Sequence, residues 1–443
     1  MPSPALFKIT PENTEYVILS FEGPDQQYSQ AGGLGVRVAE LAQALAEQGF
    51  KTNVIFVGDP NLRAQETLFD GKLVLNRWCQ WISKYYPVGV YQGENEKLYD
   101  FNETVPWFVM DSIVRPAASE GRLVVIMGEE WHTASTIMNI SDLLHYHGLR
   151  DKVLIFWNAN HTMSFHRVDW SRLNYVSTIT TVSKYMKHYM WGMGVNPMVI
   201  PNGIPERFFE KVPSSSLAKF KKDFNGDFVL FKVGRWDPDK RWNMAVESAA
   251  LLKKMGQKVL LIVRGGKEPY EGEVIHNAKR LGLVVKDIET QERTIEGCLK
   301  AMKEALPADV LNLKFFVSEE LLRLFFCASD AVLANSGKEP FGLVGLEVMA
   351  AGGVPITGSS GEDYVIPFQN ALVLETDDPK EIVGHLLFLK NNSEEVARIR
   401  KEARSSARYF VWDEVIKNFV NKLEYLAFAK NIDVAKSVEI ASR

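Results

Sequence analysis

The chain has 443 residues, 46% hydrophobic and 24% charged, with 51 basic against 55 acidic side chains and a formal charge of -4. At roughly 100–200 residues per domain this length suits two or three domains, and the aromatic content with balanced charge excludes a disordered chain. No strong positive balance invites nucleic acid, and no run approaches the ~20 apolar residues of a transmembrane segment.

At the N-terminus, MPSPALFKITPENTE has no basic segment ahead of an apolar core, so no secretory leader is expected. Short apolar runs then alternate with amphipathic stretches. Tyr16–Ser20, Thr52–Val57, Arg122–Met127, Val153–Trp157 and Thr178–Val182 read as strands. Phe228–Val233, Lys258–Val263, Asn312–Phe316, Asp330–Ala334 and Val354–Thr357 repeat the pattern. These runs are rich in Val, Ile, Leu and Phe without polar alternation, as in strands covered on both faces, hence parallel sheets with helical crossovers. Val36–Gln48 places Val38, Leu41, Ala42 and Leu45 on one helical face and stops at Gly49. Met244–Met255 turns Val246, Ala249, Ala250 and Leu252 inward and ends before Gly256. Between about Asn202 and Gly226 the rhythm breaks: PNGIPERFFEKVPSSSLAKFKKDFNG, from Pro201, has three prolines and a serine triplet and reads as the connection between two α/β domains. A last helix from Trp412 carries Val415, Phe419, Leu423 and Leu426 on one stripe. Tandem α/β domains imply a central cleft, with ligands beyond the carboxyl ends of the strands. Cys79, Cys298 and Cys327 lie far apart with no CxxC pair, which suits a reducing cytoplasm and offers no zinc site.

Four segments carry candidate chemistry. Gly32-Gly33-Leu34-Gly35 opens the Val36–Gln48 helix, where glycines admit a ligand to the backbone and the first amides can face an anion. It does not follow its strand at once, so it is no dinucleotide fingerprint; the plainer reading is a flexible surface loop. Asn158-Ala159-Asn160-His161-Thr162-Met163 follows a strand, placing polar groups where substrates bind. His161 there is either a donor to a sugar hydroxyl or a reacting oxygen, or a structural hydrogen-bonder. His132 is a weaker candidate whose plainer role is capping its helix. His145 and His147, two apart on a helix, do not face one another as a metal pair.

Gly234-Arg235-Trp236-Asp237-Pro238-Asp239-Lys240-Arg241 sets two cations, Arg235 and Lys240, beyond the carboxyl end of a strand. Fixed cations there offset the charge that grows on a departing diphosphate. Asp237 and Asp239 form a DxD that elsewhere holds a divalent metal, but Arg235, Lys240 and Arg241 fill the same loop with positive charge, so no metal is expected. The plainer reading is a solvated turn. In Glu339-Pro340-Phe341-Gly342-Leu343-Val344-Gly345-Leu346-Glu347, glycines bring a helix start against a ligand. The segment's two carboxylates, one before the helix and one on it, lie roughly 12 Å apart if the span is wholly helical. That exceeds the spacing of glycosidase pairs and fits acceptors at opposite ends of a long ligand, such as a sugar and a ribose. A salt-bridged helix start is the alternative.

In their order and spacing, AGGLG, GRWDPDKRW, VIPNGI and EPFGLVGLEVMAAGG resemble the retaining nucleotide-sugar glycosyltransferases of the GT-B fold, family GT4, in the glycogen-synthase-like group. The resemblance covers essentially the whole chain. It implies two Rossmann-like domains facing a central cleft: an acceptor domain of residues 1–204, rejoined by a helix of residues 412–443 that crosses back, and a donor domain of residues 205–411. It implies that Arg235 and Lys240 hold the donor diphosphate, Glu339 the hexose and Glu347 the ribose. Amides around Phe341, Gly342 and Leu343 would help hold phosphate and sugar, and the Gly32–Gly33 loop would close over the donor. His161 would stand beside the anomeric centre, with Asn160 and His132 on the acceptor side. Starch and glycogen synthases of bacteria carry a lysine just before the double glycine and an aspartate just after the motif. Here Gln30 or Ala31 and Val36 stand in those places, which points to a small-molecule, saccharide or lipid-linked acceptor instead of a growing glucan.

The expected activity is therefore hexosyl transfer from a nucleotide-diphosphate sugar, UDP- or GDP-linked, to a hydroxyl with retained configuration, without metal or other cofactor, in the cytoplasm. An epimerase or phosphorylase on the same twin-domain fold and a catalytically dead nucleotide-sugar binder are the rivals.

Overall fold

Residues 8–29, 33–430 and 432 are described by the computed structural model. They group into two units, one running to Gly203 and resuming at Trp412, the other spanning Ile204–Val411. Of the expected features, Gly32 and the tail at 431 and 433–443 lie outside the described residues.

The first unit is built on β1 (Thr14–Ser20), β2 (Lys51–Val57), β3 (Gln65–Leu68), β4 (Leu73–Trp78), β5 (Leu123–Glu129), β6 (Val153–Ala159), β7 (Thr178–Thr181) and β8 (Met198–Val199). Their order is β3-β4-β2-β1-β5-β6-β7-β8, parallel except where β3 runs antiparallel to β4. β1, β5 and β6 are buried at every residue, which is why their sequences show no polar alternation. The second unit holds β9 (Phe228–Val233), β10 (Val259–Arg264), β11 (Val285–Ile288), β12 (Val310–Leu313), β13 (Ala331–Ala334), β14 (Pro355–Thr357) and β15 (Leu372–Val373). All pair in parallel, in the order β11-β12-β10-β9-β13-β14-β15.

In both sheets the order reverses beside the first strand, between β1 and β5 and between β9 and β13. The carboxyl ends of those strands are the switch points where open sheets bind ligands. Glu22, Glu129 and Glu130 lie at the first; Gly234–Arg241 and Asn335 lie at the second.

The helix Trp412–Ala429 packs into the first unit. Its Val415, Ile416, Phe419 and Leu423 are buried in the core that contains Tyr16 and Phe156, with Leu426 packed at the margin. The Phe419 ring centroid lies 5.4 Å from that of Phe156 and 6.4 Å from that of Tyr16. Burying such a side chain stabilises the contact by about 2–3 kcal/mol. A Cβ at Gly203 would sit 2.3 Å from Trp412 Cδ2, so the two segments approach more closely there than any other residue permits. The stretch expected to be a plain connection contains a helix, Ser214–Asp223. It buries Phe220 alone, too little for an amphipathic pattern to show in the sequence. No helix among the described residues is long and apolar enough to cross a membrane.

Candidate active site

In the second unit, β9 ends at Val233 and the chain turns through Gly234 into a loop held from beneath by two tryptophans. Trp236 and Trp242 are buried with ring centroids 4.0 Å apart. Trp242 Nε1 donates to the Arg235 carbonyl at 2.7 Å, and Glu268 accepts from the Trp236 amide at 3.0 Å. Asp237 accepts from the Asp239 amide at 2.9 Å, capping the turn Pro238–Lys240. Lys240 Nζ donates to the Glu339 carboxylate, so these two residues meet at the switch point. Arg235 is exposed and forms no ion pair among the described residues. Of the two expected fixed cations, only Lys240 is fixed by a partner; Arg241, which pairs with Asp377 at 2.6 Å, is a second anchored cation in the loop.

A Cβ at Gly265 would lie 2.0 Å from Trp236 Nε1. Gly265→Ala is therefore expected to displace the tryptophan pair and cost about 1–3 kcal/mol by overpacking, read as a lowered chemical-denaturation midpoint.

Glu339 is not on a helix. The helix Leu343–Ala351 begins only after Gly342, which takes a left-handed conformation with φ +79°. The chain turns at Gly342 before the helix starts, so Glu339 stands before the helix and Glu347 on it, and the separation of a wholly helical span does not apply. Phe341 is buried against Tyr364 and Phe410, leaving its backbone as the part available near the helix start. The Tyr364 hydroxyl donates to the Gly342 carbonyl and would clash with any Cβ at Gly345 at 2.5 Å. Burial, with the charges of Glu362, Glu339 and Glu347, holds that hydroxyl protonated, so all three carboxylates gather around one phenol.

Two further residues emerge only in three dimensions. Lys232, inside β9, is 2% exposed and donates to the Leu333 carbonyl at 3.1 Å and to Asn335 Oδ1 at 2.5 Å. Its ammonium lies 4.9 Å over the Trp242 ring. Asn335 in turn donates to the Arg241 carbonyl at 3.3 Å, so Lys232 braces the cationic loop from behind. Burial, then Lys240 and Arg241, push its pKa well down. A charged residue inside an apolar strand was the available signal. Glu362, in the loop after β14, had none.

In the first unit, β5 ends in two carboxylates. Glu129 accepts from Asn158 Nδ2 at 2.9 Å and Asn160 Nδ2 at 2.8 Å, and pairs with the buried Arg37 at 3.3 Å. Glu130 adopts φ +66°, an uncommon conformation for a residue with a side chain and one that concentrates at functional sites. Its Oε1 accepts from the amides of Asn160 at 2.5 Å and His161 at 3.2 Å. Its Oε2 stands 3.3 Å from His161 Nδ1 and has no hydrogen-bond partner. Burial pushes the Glu130 carboxyl up to about 8, helped by the charge of Glu129. His161 Nδ1 accepts from the Met163 amide at 3.2 Å, which puts the neutral ring's proton on Nε2. A lone pair on Nδ1 facing Oε2 also disfavours a charged Glu130.

His132 is sandwiched between Trp131 and Phe21, with ring centroids 3.8 and 4.3 Å away. Its Nε2 meets Glu94 at 2.9 Å, and burial lowers its pKa to about 4, so it is neutral. It makes no helix cap, contrary to the simpler expectation. Asn160 Oδ1 is buried without a hydrogen-bond partner. Gly33 is the first residue of the helix Gly33–Glu47, and among the described residues none comes within 4 Å of the position of a Cβ there. The Gly35 amide, expected to face a ligand anion, is already taken by Glu22 Oε2 at 3.0 Å.

Comparison with solved structures places this architecture among known ones. A sucrose-phosphate synthase from Thermosynechococcus elongatus superposes with a TM-score of 0.66 at 18% identity, over 94% of this chain and 99% of that one. The catalytic domain of starch synthase IV from Arabidopsis thaliana, bound to ADP and acarbose, gives 0.63 at 16%, over 94% and 99%. HepE from Anabaena in complex with UDP-glucose gives 0.61 at 14%, over 93% and 99%. At such identities the likeness speaks for the fold. Curated protein sequences give no match. The model described as Glycosyltransferase Family 4 matches residues 31–208, and that described as Glycosyl transferases group 1 matches residues 215–406. Spanning both units between them, these matches make the chain a glycosyltransferase of the GT-B fold and of family GT4.

Proposed function

We propose that the chain transfers a hexose from a UDP- or GDP-linked sugar to a hydroxyl of a small-molecule, saccharide or lipid-linked acceptor, with retention of configuration. The observation that supports this most is the Lys240–Glu339 contact at the β9/β13 switch point, beside the start of the helix Leu343–Ala351. A cation, a hydroxyl-accepting carboxylate and backbone amides are what a glycosyl diphosphate needs around it. On this reading the second unit binds the donor: Lys240 and Arg235 take the diphosphate, Glu339 the hexose, Glu347 the ribose, and the amides from Phe341 to Leu343 phosphate and sugar. The first unit binds the acceptor, with His161 Nε2–H as hydrogen-bond donor near the anomeric centre and Asn160 and His132 on the acceptor side. The glycine loop at Gly33 closes over the donor.

No carboxylate is placed as a nucleophile in this scheme. As the anomeric C–O bond breaks, the departing phosphate oxygen accepts the proton of the incoming hydroxyl on the same face. Lys240 and Arg235 offset the charge that grows on the phosphate. The reaction is drawn with no resident metal or cofactor, because protein cations supply the neutralisation.

The test is thermal denaturation with UDP-, GDP-, ADP- and TDP-sugars. Ligand at about 100 times its Kd stabilises the native state by about 2.7 kcal/mol, so the true donor should raise the melting temperature by several degrees. UDP-glucose, seen with HepE, is the first probe. No shift with any of the four at saturating concentration would remove the donor-site assignment.

A further inference from the structure

Glu362 belongs to none of the roles assigned above, yet it is built into the same corner. Its side chain is 8% exposed. One oxygen, Oε2, accepts from the Ser360 amide at 3.1 Å; the other, Oε1, is buried and has no hydrogen-bond partner. The Ser360 hydroxyl accepts from the Glu339 amide at 2.8 Å and donates to the Glu339 carbonyl at 3.1 Å. Both glutamates flank the Gly342 Cα: a Cβ there would lie 2.9 Å from Glu362 Cγ and 3.3 Å from Glu339 Cγ. Ser360 therefore ties the two glutamates together, and Glu339 holds Lys240.

Two carboxylates this close do not both ionise without a large penalty. Glu339 has the ammonium of Lys240 in direct contact to hold its charge; Glu362 has only the backbone amides of Ser360 and its own residue, with Lys240 as a weaker influence. An orphaned anionic oxygen in a buried site is far costlier than an orphaned neutral hydroxyl. The proton of this cluster accordingly resides on Glu362. The ionisable groups around it are Glu339 and Lys240 from the neighbouring loops and Tyr364 from its own.

We propose that Glu362 is a positioning residue whose proton leaves Glu339 as the sole anion facing Lys240, and that loss of this proton to solvent draws Lys240 away from the donor diphosphate. The inference rests on the donor-site reading given above. A second negative charge behind Glu339 strengthens the pull on the ammonium and repels the diphosphate, so both effects weaken donor binding. Burial first, and the charge of Glu339 after it, raise this carboxyl to about 7, which sets the change in the neutral range.

The test is calorimetric binding of UDP-glucose, GDP-mannose and ADP-glucose to the full chain between about pH 6 and 9, in wild type and Glu362→Gln. Nucleotide sugars carry no phosphate that titrates in this range, and a slope present in wild type but missing from Glu362→Gln belongs to that carboxyl. The donor that binds is expected to lose about tenfold in affinity across the range in wild type, while the variant stays near the wild-type low-pH value throughout. A merely structural Glu362 would lower affinity or stability without removing the slope. The same slope in both proteins overturns the proposal. If no nucleotide sugar binds wild type at low pH, the donor-site reading fails, and pH-difference infrared spectra of the ligand-free proteins decide the Glu362 assignment. A protonated-carboxyl band that disappears between low and high pH in wild type and is missing from Glu362→Gln keeps it; no such band overturns it.

Discussion

Lys240→Ala is expected to lower kcat for glycosyl transfer by about 10²–10³-fold while leaving the circular-dichroism spectrum unchanged. The lysine closes the turn Pro238–Lys240 in the loop that follows β9, and its ammonium is held by the Glu339 carboxylate. A leaving diphosphate gains charge in the transition state, so a cation at a fixed point binds that state more strongly than the ground state. Stability should hardly move. The Lys240 side chain is 26% and that of Glu339 19% exposed, and an ion pair in contact with water contributes about 1 kcal/mol or less. Loss of activity without loss of fold separates chemistry from architecture. Because the two residues touch, Lys240→Ala and Glu339→Gln should also combine to less than the sum of their separate effects. A kcat for Lys240→Ala within about threefold of wild type would remove this lysine from the reaction.

The parts of the molecule legible in the sequence are those where one physical requirement dominates. Strands covered on both faces are mostly apolar, so β1, β2, β5, β6, β9 and β10 stand out by runs rich in Val, Ile, Leu and Phe. The stripe Val415, Phe419 and Leu423 is readable because one face of one helix meets one core. The edges are less so. β3, whose residues are largely exposed, needs only an antiparallel neighbour, and Gln65–Leu68 therefore carries no apolar signature. β15 is two residues long and ends its sheet.

The candidate site divides along a similar line. Arg235, Lys240, Glu339 and Glu347 sit in contiguous motifs, where glycines and charges at a strand end announce a ligand. Lys232 and Glu130 have partners far away in sequence, and Glu362 meets Glu339 only through Ser360, so only folding brings out their meaning. Lys232 reaches Asn335, and Glu130 reaches His161 across the gap between β5 and β6. Gly342 shows the opposite failure. Its motif is easy to see, but the left-handed turn that breaks the Glu339–Glu347 span is a backbone choice permitted by glycine and not dictated by it.

Glu130→Ala is expected to cost about 10–100-fold in activity, through loss of His161 placement. The alanine leaves the amides of Asn160 and His161 without the oxygen that receives both, and each unsatisfied buried donor costs about 1–3 kcal/mol. Glu130→Gln keeps an acceptor for those amides and cannot ionise, so it separates shape from charge. The carboxyl is raised from 4.5 to about 8, so between these values the native state holds a proton that the unfolded chain has released. Its contribution to stability is therefore full below about pH 4.5 and declines as pH rises through about 8. Wild type and Glu130→Gln should melt at similar temperatures near about pH 5, and the variant should become progressively the more stable of the two as pH approaches about 9. Activity should follow. With Glu130 neutral, His161 keeps its proton on Nε2 and presents it as a donor. An ionised Glu130 Oε2, 3.3 Å from Nδ1, draws the proton to that nitrogen and withdraws the donor from Nε2. Wild-type turnover should consequently fall above about pH 8, whereas that of Glu130→Gln should not. Parallel pH profiles for the two proteins would show that the carboxyl sets only the loop's geometry and has no hold on the histidine's proton.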